Sequence, residues 1–179
     1  MTSSADVPMT LIGYSWGAWL GFLFASKYPE LLSKLILVSA GVIESKYNPD
    51  LMNTRLKRLN QHDRKEAKRL FSIIQSDSSN NKVLSQFGKL MTIADSSCYC
   101  PSDVESVIVN MSTHQAIWAE ATRLRNSNEF MNCASKITTP VVAIHGDYDP
   151  HPVDGVKKPL SELLPNLKMI ILTNCGHTP

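Results

Sequence analysis

The sequence predicts an α/β protein: a mostly parallel sheet with flanking helices, interrupted by an all-helical insertion. Three observations support this. Residues 9–12 and 35–38 are short continuous apolar runs separated by a helical stretch that is apolar on nearly every face, the pattern of a βαβ unit. Residues 141–146 and 167–172 repeat the strand pattern around a second helical stretch. Between these regions, residues 45–133 carry helical periodicity and no convincing strand.

Taken in order, Met9, Leu11 and Ile12 open the first strand, and Gly13 marks a tight turn. Trp16, Trp19, Phe22 and Phe24 lie in the helical stretch that Tyr28 and Pro29 end; apolar residues on most sides predict a helix buried inside a layered structure. Residues 35–38 then form a parallel neighbour reached by a right-handed crossover. From 46 to 69 there are eight Lys or Arg against three acids, with Leu51, Met52, Leu56, Leu59, Ala67 and Leu70 at helical intervals. Amphipathic helices with a solvated basic face account for that pattern. Residues 77–81 read as a polar loop. Further helices are expected over 82–94 and 104–125, with a break and a helix start at 100–103. The strand at 137–146 passes through the loop from Asp147 to Pro150 into a helix over 156–164, and residues 167–172 are the last strand. The expected organisation is a core of residues 1–44 and 134–179, with 45–133 inserted.

Composition narrows the function. A chain of 179 residues with 43% hydrophobic content buries a substantial core unaided. A net charge of +2 gives no electrostatic footprint for nucleic acid or an acidic membrane. No secretory signal or membrane-length apolar run is evident, so a cytoplasmic protein is expected. Cys98, Cys100, Cys133 and Cys175 lack zinc-site spacing and read as free thiols. No phosphate loop, metal cluster or nucleotide fingerprint appears, so neither cofactor nor metal is expected, and the partner is a small-molecule substrate.

Three polar residues stand just beyond the C-terminal ends of three predicted strands: Ser15, Asp149 and His177. Ligands bind at that edge of open parallel sheets. A serine hydroxyl becomes nucleophilic when an imidazole takes its proton, and a carboxylate fixes the imidazole's tautomer and steadies its charged form. A tight strand-to-helix turn, with glycines at 13 and 17 relieving crowding, pushes Ser15 outward and sets the Trp16 N–H at a helix N-terminus, ready for an oxyanion.

Gly13-Tyr14-Ser15-Trp16-Gly17 resembles the nucleophile elbow of the α/β-hydrolase family. His145-Gly146-Asp147-Tyr148-Asp149 resembles its acid loop, and Gly176-His177 its terminal histidine motif. The order Ser, Asp, His matches that family, and the inserted helices are similar to its cap. The nearest likeness is to cap-bearing serine hydrolases such as proline iminopeptidases and related esterases. The resemblance implies a partial α/β-hydrolase fold, Ser15 as nucleophile, His177 as base and Asp149 as acid. Asp147 is the runner-up, with its side chain expected to hold the loop, and Asp154 lies further out. Tyr14, Trp16 and Trp118 are candidates to line an acyl pocket, against core packing for the two tryptophans. His62, His114, His145 and His151 are assigned to surface or packing roles.

The resemblance also implies four strands ahead of residue 9, a second oxyanion donor among them, and a closing helix after His177. A fragment of a longer enzyme is therefore expected, in preference to a chain whose open edge a partner covers. That edge is a candidate for self-association. Two functions follow: a serine hydrolase of esters or amides, or a catalytically incomplete module that keeps the triad residues.

Overall fold

The computed structural model describes residues 6–48, 50–76, 80–99 and 108–179. Strands β1 (Met9–Tyr14), β2 (Leu32–Val38), β3 (Val141–Gly146) and β4 (Leu167–Leu172) form one sheet in the order β1-β2-β3-β4. Every pairing is parallel, with Leu11 beside Leu35, Leu35 beside Val141 and Val141 beside Leu167. Side chains alternate along each strand, so these residues share one face with Leu37, Ala143 and Met169. That face carries the main core, together with Ala18, Trp19, Phe22 and Ala25 of helix α1 (Trp16–Lys27). Val156 and Leu160 of α7 (Asp154–Leu163) complete it beside β4. The opposite face, with Ile36, Val38, Val142 and Ile144, is apolar and only half-buried.

The expected α/β class and parallel sheet are borne out, with one correction. Helix α1 is not enclosed all round: Leu20 is 50% exposed, and Ile12 of β1 is 64% exposed. Among the described residues β1 has a neighbour on one side only, so the apolar residues near its free edge have nothing to bury against.

Helices α2 (Leu51–Arg58), α3 (Gln61–Ile74) and α4 (Asn81–Asp95) pack around their own centre of Leu59, Ala67, Met91 and Ala94. Asn60 and Asn80 cap α3 and α4 by accepting from the N–H groups of Asp63 and Val83. Residues 77–79, in the expected polar loop, lie outside the described residues; Asn80 and Asn81 already begin the helix. Helix α5 (Met111–Asn126) is capped by Asn110; the break at 100–103 and the helix start at 104 lie outside the described residues. Helices α5 and α6 (Glu129–Ala134) share the sheet's core through Ala121, Leu124, Phe130 and Ala134. The segment read as one insertion thus holds two kinds of packing, with α2–α4 separate and α5–α6 joined to the sheet layer.

The basic residues of this segment are not all solvated. Arg64 donates to the carbonyls of Leu56, Lys57 and Leu59 and so closes the end of α2. Arg55 makes a bidentate pair with Asp95 at 2.7 and 2.6 Å. The Arg58 guanidinium lies 3.9 Å from the centre of the Tyr148 ring, joining α2 to the loop after β3. In α7, Pro159 has no N–H to donate to the Gly155 carbonyl, which accepts instead from the Ile43 N–H at 3.1 Å.

Candidate active site

Ser15 sits between β1 and α1 with φ 53° and ψ −116°, a conformation that costs a non-glycine residue about 1–3 kcal/mol. Its N–H bonds to the Val38 carbonyl at 2.9 Å, and its carbonyl accepts from the Ala18 N–H at 3.0 Å, so both neighbouring elements hold the turn. A Cβ on Gly13 would stand 2.2 Å from the Gly17 carbonyl oxygen, so glycine is required there. Gly17 differs from expectation: a Cβ there meets nothing within 4 Å, and the crowding is all at Gly13. Trp16 begins α1, so its N–H belongs to the first turn, where the helix supplies no acceptor.

The structure brings Ser15, His177 and Asp149 into one hydrogen-bonded line. His177 Nε2 is 2.8 Å from Ser15 Oγ, and His177 Nδ1 is 2.8 Å from Asp149 Oδ2. With Nδ1–H donating to the carboxylate, Nε2 is left to accept from the hydroxyl. The backbone around His177 is fixed from both sides. Its N–H donates to the Asp95 carbonyl at the end of α4 at 2.8 Å, and the Tyr148 N–H donates to the Cys175 carbonyl at 2.9 Å. A Cβ on Gly176 would lie 2.2 Å from Asp95 O, so the histidine loop and α4 meet at a distance that only glycine permits.

Asp149 is fully buried at its side chain. Burial is the largest single influence and opposes its ionisation, but donation from His151 and His177 outweighs it and holds the carboxyl well below the usual carboxylate range. Asp147 is exposed, its Oδ1 3.4 Å from the Cys175 N–H; Asp154 is exposed and pairs with Lys158.

His151 departs from the sequence reading. The sequence predicts a surface or packing role for it, yet its Nδ1 lies 2.8 Å from Asp149 Oδ1 and its ring centre 5.0 Å from that of His177. The signal was local: in Asp149-Pro150-His151 the carboxylate accepts the N–H two residues on, at 2.9 Å, which places the next ring against it. Burial pushes the His151 imidazolium below its ordinary pKa despite the neighbouring carboxylate. His145 is buried in the core and its Nε2–H donates to the His151 carbonyl at 2.9 Å; His62 is exposed.

Asp149, His151 and His177 bring one potential ligand atom each within 4.8 Å of one another. Both imidazole Nδ1 atoms are committed to the carboxylate as hydrogen-bond donors.

A cavity of about 750 Å³ opens beside Ser15 and His177, within the range of small-molecule sites. Trp16, Trp19, Phe87, Met91, Ile117 and Trp118 give it an apolar wall, with Arg55, His114 and His151 at polar points. Trp118 therefore lines it while 40% exposed. Tyr14 is not among the lining residues. It packs on His177 at 5.5 Å between ring centres, and its hydroxyl lies 3.0 Å from Thr178 Oγ1. Cys98, Cys133 and Cys175 are free thiols, Cys100 lies outside the described residues, and no helix among the described residues is long and apolar enough to cross a membrane.

A family model described as the alpha/beta hydrolase fold matches residues 5–179. Among solved structures, VinJ superimposes with a TM-score of 0.60 at 18% identity over 95% of this chain and 59% of its own. The proline iminopeptidase of Mycobacterium smegmatis gives 0.54 at 14% identity over 94% and 58%. The monoacylglycerol lipase of Paleococcus ferrophilus gives 0.51 at 15% identity over 94% and 60%. The chain thus spans less than two thirds of the length of these structures. The sequence has no significant match among curated proteins.

Proposed function

The chain belongs to the α/β-hydrolase-fold family, and from that premise we propose that it is a serine hydrolase forming an acyl-enzyme on Ser15. One observation carries the reading: the continuous line from Ser15 Oγ through His177 to Asp149, with both hydrogen bonds at 2.8 Å. Ser15 Oγ attacks the substrate carbonyl carbon while His177 Nε2 takes the hydroxyl proton, and the carbonyl oxygen becomes an oxyanion beside the Trp16 N–H. Collapse expels the leaving group, which receives the proton from His177. Water, deprotonated by the same nitrogen, then releases the acid and restores Ser15. Asp149, kept ionised, orients His177 and stabilises its charged form.

The cavity favours a carboxylic ester with an apolar acyl group over an aminoacyl amide. A free ammonium brought into a partly dry site needs a counter-charge. The described lining includes Arg55 and three histidines but no carboxylate.

A fluorophosphonate probe should label Ser15 in the wild-type chain and leave Ser15→Ala unmodified. A folded wild-type chain that stays unlabelled refutes the hydrolase reading. Labelling without turnover of a p-nitrophenyl ester series would support the other reading, a module that keeps the triad with one oxyanion donor from α1. Faster cleavage of aminoacyl nitroanilides than of esters would overturn the substrate class.

A further inference from the structure

We propose that His151 is a positioning residue that holds the acid of the triad, so that Asp149 serves two histidines, one on each oxygen. Oδ2 receives the Nδ1–H of His177 at 2.8 Å. Oδ1 receives the Nδ1–H of His151 at 2.8 Å and the backbone N–H of the same residue at 2.9 Å. A carboxylate's last torsion is broad, so one hydrogen bond does not fix the plane of the group. Three donors from two directions do. Without His151, a buried oxygen would keep a single backbone partner and the carboxylate could turn away from His177.

The surroundings hold His151 in place. His145 Nε2 donates to the His151 carbonyl at 2.9 Å and lies 3.7 Å from Asp149 Oδ2, so β3 anchors the loop from beneath. The charged and titratable groups facing the ring are Asp149, His177 and Arg55 of α2. Burial is the main influence that lowers the His151 pKa, the charges of Arg55 and His177 add to it and Asp149 opposes it, which favours a neutral His151 while His177 takes the proton from Ser15. A second imidazolium 5.0 Å from His177, measured between ring centres, would oppose that transfer. Because His151 also lines the cavity, this support for the acid lies within reach of a bound substrate.

For its effect on rate the inference rests on the serine-hydrolase reading; its ground-state test does not. His151→Asn places an amide N–H where Nδ1 stands, whereas His151→Leu keeps bulk and removes the donor. Second-order labelling of Ser15 by a fluorophosphonate should slow by about 10- to 100-fold in His151→Leu, the range for losing a hydrogen bond to a charged group. His151→Asn should recover most of the loss. Equal slowing in the two variants would assign His151 to packing and overturn the proposal, as would His151→Leu labelling within about twofold of wild type.

Proton NMR of the ¹⁵N-histidine-labelled chain supplies the ground-state test. Two low-field imidazole Nδ1–H signals, told apart from the Nε2–H of His145 by their long-range ¹⁵N couplings, are expected in wild type, one in His177→Ala and one in His151→Asn. Loss of both Nδ1–H signals in His177→Ala would overturn the proposal even if the leucine variant does not fold. An unlabelled wild type that still shows two signals would refute the hydrolase reading and leave the shared carboxylate standing.

Discussion

Replacing Gly176 with alanine tests whether the contact between the histidine loop and α4 sets the position of the base. The new Cβ would meet three atoms, Asp95 O at 2.2 Å, Ser97 N at 2.9 Å and Ser96 Cα at 3.0 Å, and all are backbone. No side-chain rotation makes room. Real Cβ contacts essentially never fall below 3.0 Å, so the loop and the end of α4 must part by at least about 0.8 Å. His177 follows directly, and its N–H is bonded to that same Asp95 carbonyl at 2.8 Å. The Nε2 to Oγ separation, now 2.8 Å, would stretch toward about 3.6 Å, beyond a hydrogen bond. A displacement near 1 Å at a reacting group costs on the order of 100-fold in rate. Overpacking against rigid neighbours costs about 1–3 kcal/mol of stability. The assay is the second-order rate of Ser15 labelling, read beside urea unfolding. Gly176→Ala labelling within about threefold of wild type would refute the reasoning, because it would mean the loop absorbs the methyl group without moving the base.

Two further outcomes follow from buried charge. Arg55→Met strips Asp95 of its bidentate partner in a site where both side chains are largely buried, and should cost roughly 3 kcal/mol in urea unfolding; adding Asp95→Leu should return most of it. A single variant as stable as wild type would contradict this. The second concerns pH. Burial depresses the His151 pKa, so the unfolded chain, titrating near about 6.5, binds the proton that the folded chain refuses. Stability from this group is present above pH ~6.5 and lost as pH falls through the folded value. Asp149, also depressed, acts with the same sign: its contribution is present above the ordinary carboxylate pKa of about 3.9 and lost as pH falls below it. Urea midpoints should therefore begin to fall near pH ~6.5, and His151→Asn should flatten the decline that sets in just below that pH, ahead of the carboxylate titrations. Identical slopes in the two proteins would refute the assignment.

Much of the fold was legible because its signals are local. The apolar runs of β1 to β4 and the punctuation at Gly13, Pro29 and Gly146 each lie within a few residues. Ser15, Asp149 and His177 could be singled out because each follows a strand, and parallel strands bring their ends to one edge. What stayed hidden depends on distant partners. The pairing of Arg55 with Asp95, 40 residues apart, has no periodicity to betray it. The role of Gly176 depends on an α4 carbonyl that no motif announces. A lone histidine carries no signal of a role, and that of His151 emerges only with the second oxygen of Asp149, two residues before it. An apolar helix implies cover on every side, yet Leu20 of α1 is half exposed, and Ile12 more so on a strand with a neighbour on one side only among the described residues.

The proline in α7 has a topological consequence. By freeing the Gly155 carbonyl for the Ile43 N–H, it pins the chain that leaves the sheet after β2 to α7, beyond β3. The helical excursion between β2 and β3 thus starts from a point that α7 already holds. The entropy of closing a loop grows only logarithmically, by about 0.6 kcal/mol for each doubling of length. Changes of length are therefore cheapest in the turns between the helices, whereas the end of α4, which holds His177 through the Asp95 carbonyl, and α5 and α6, which share the sheet's core, are fixed points of any redesign of the pocket.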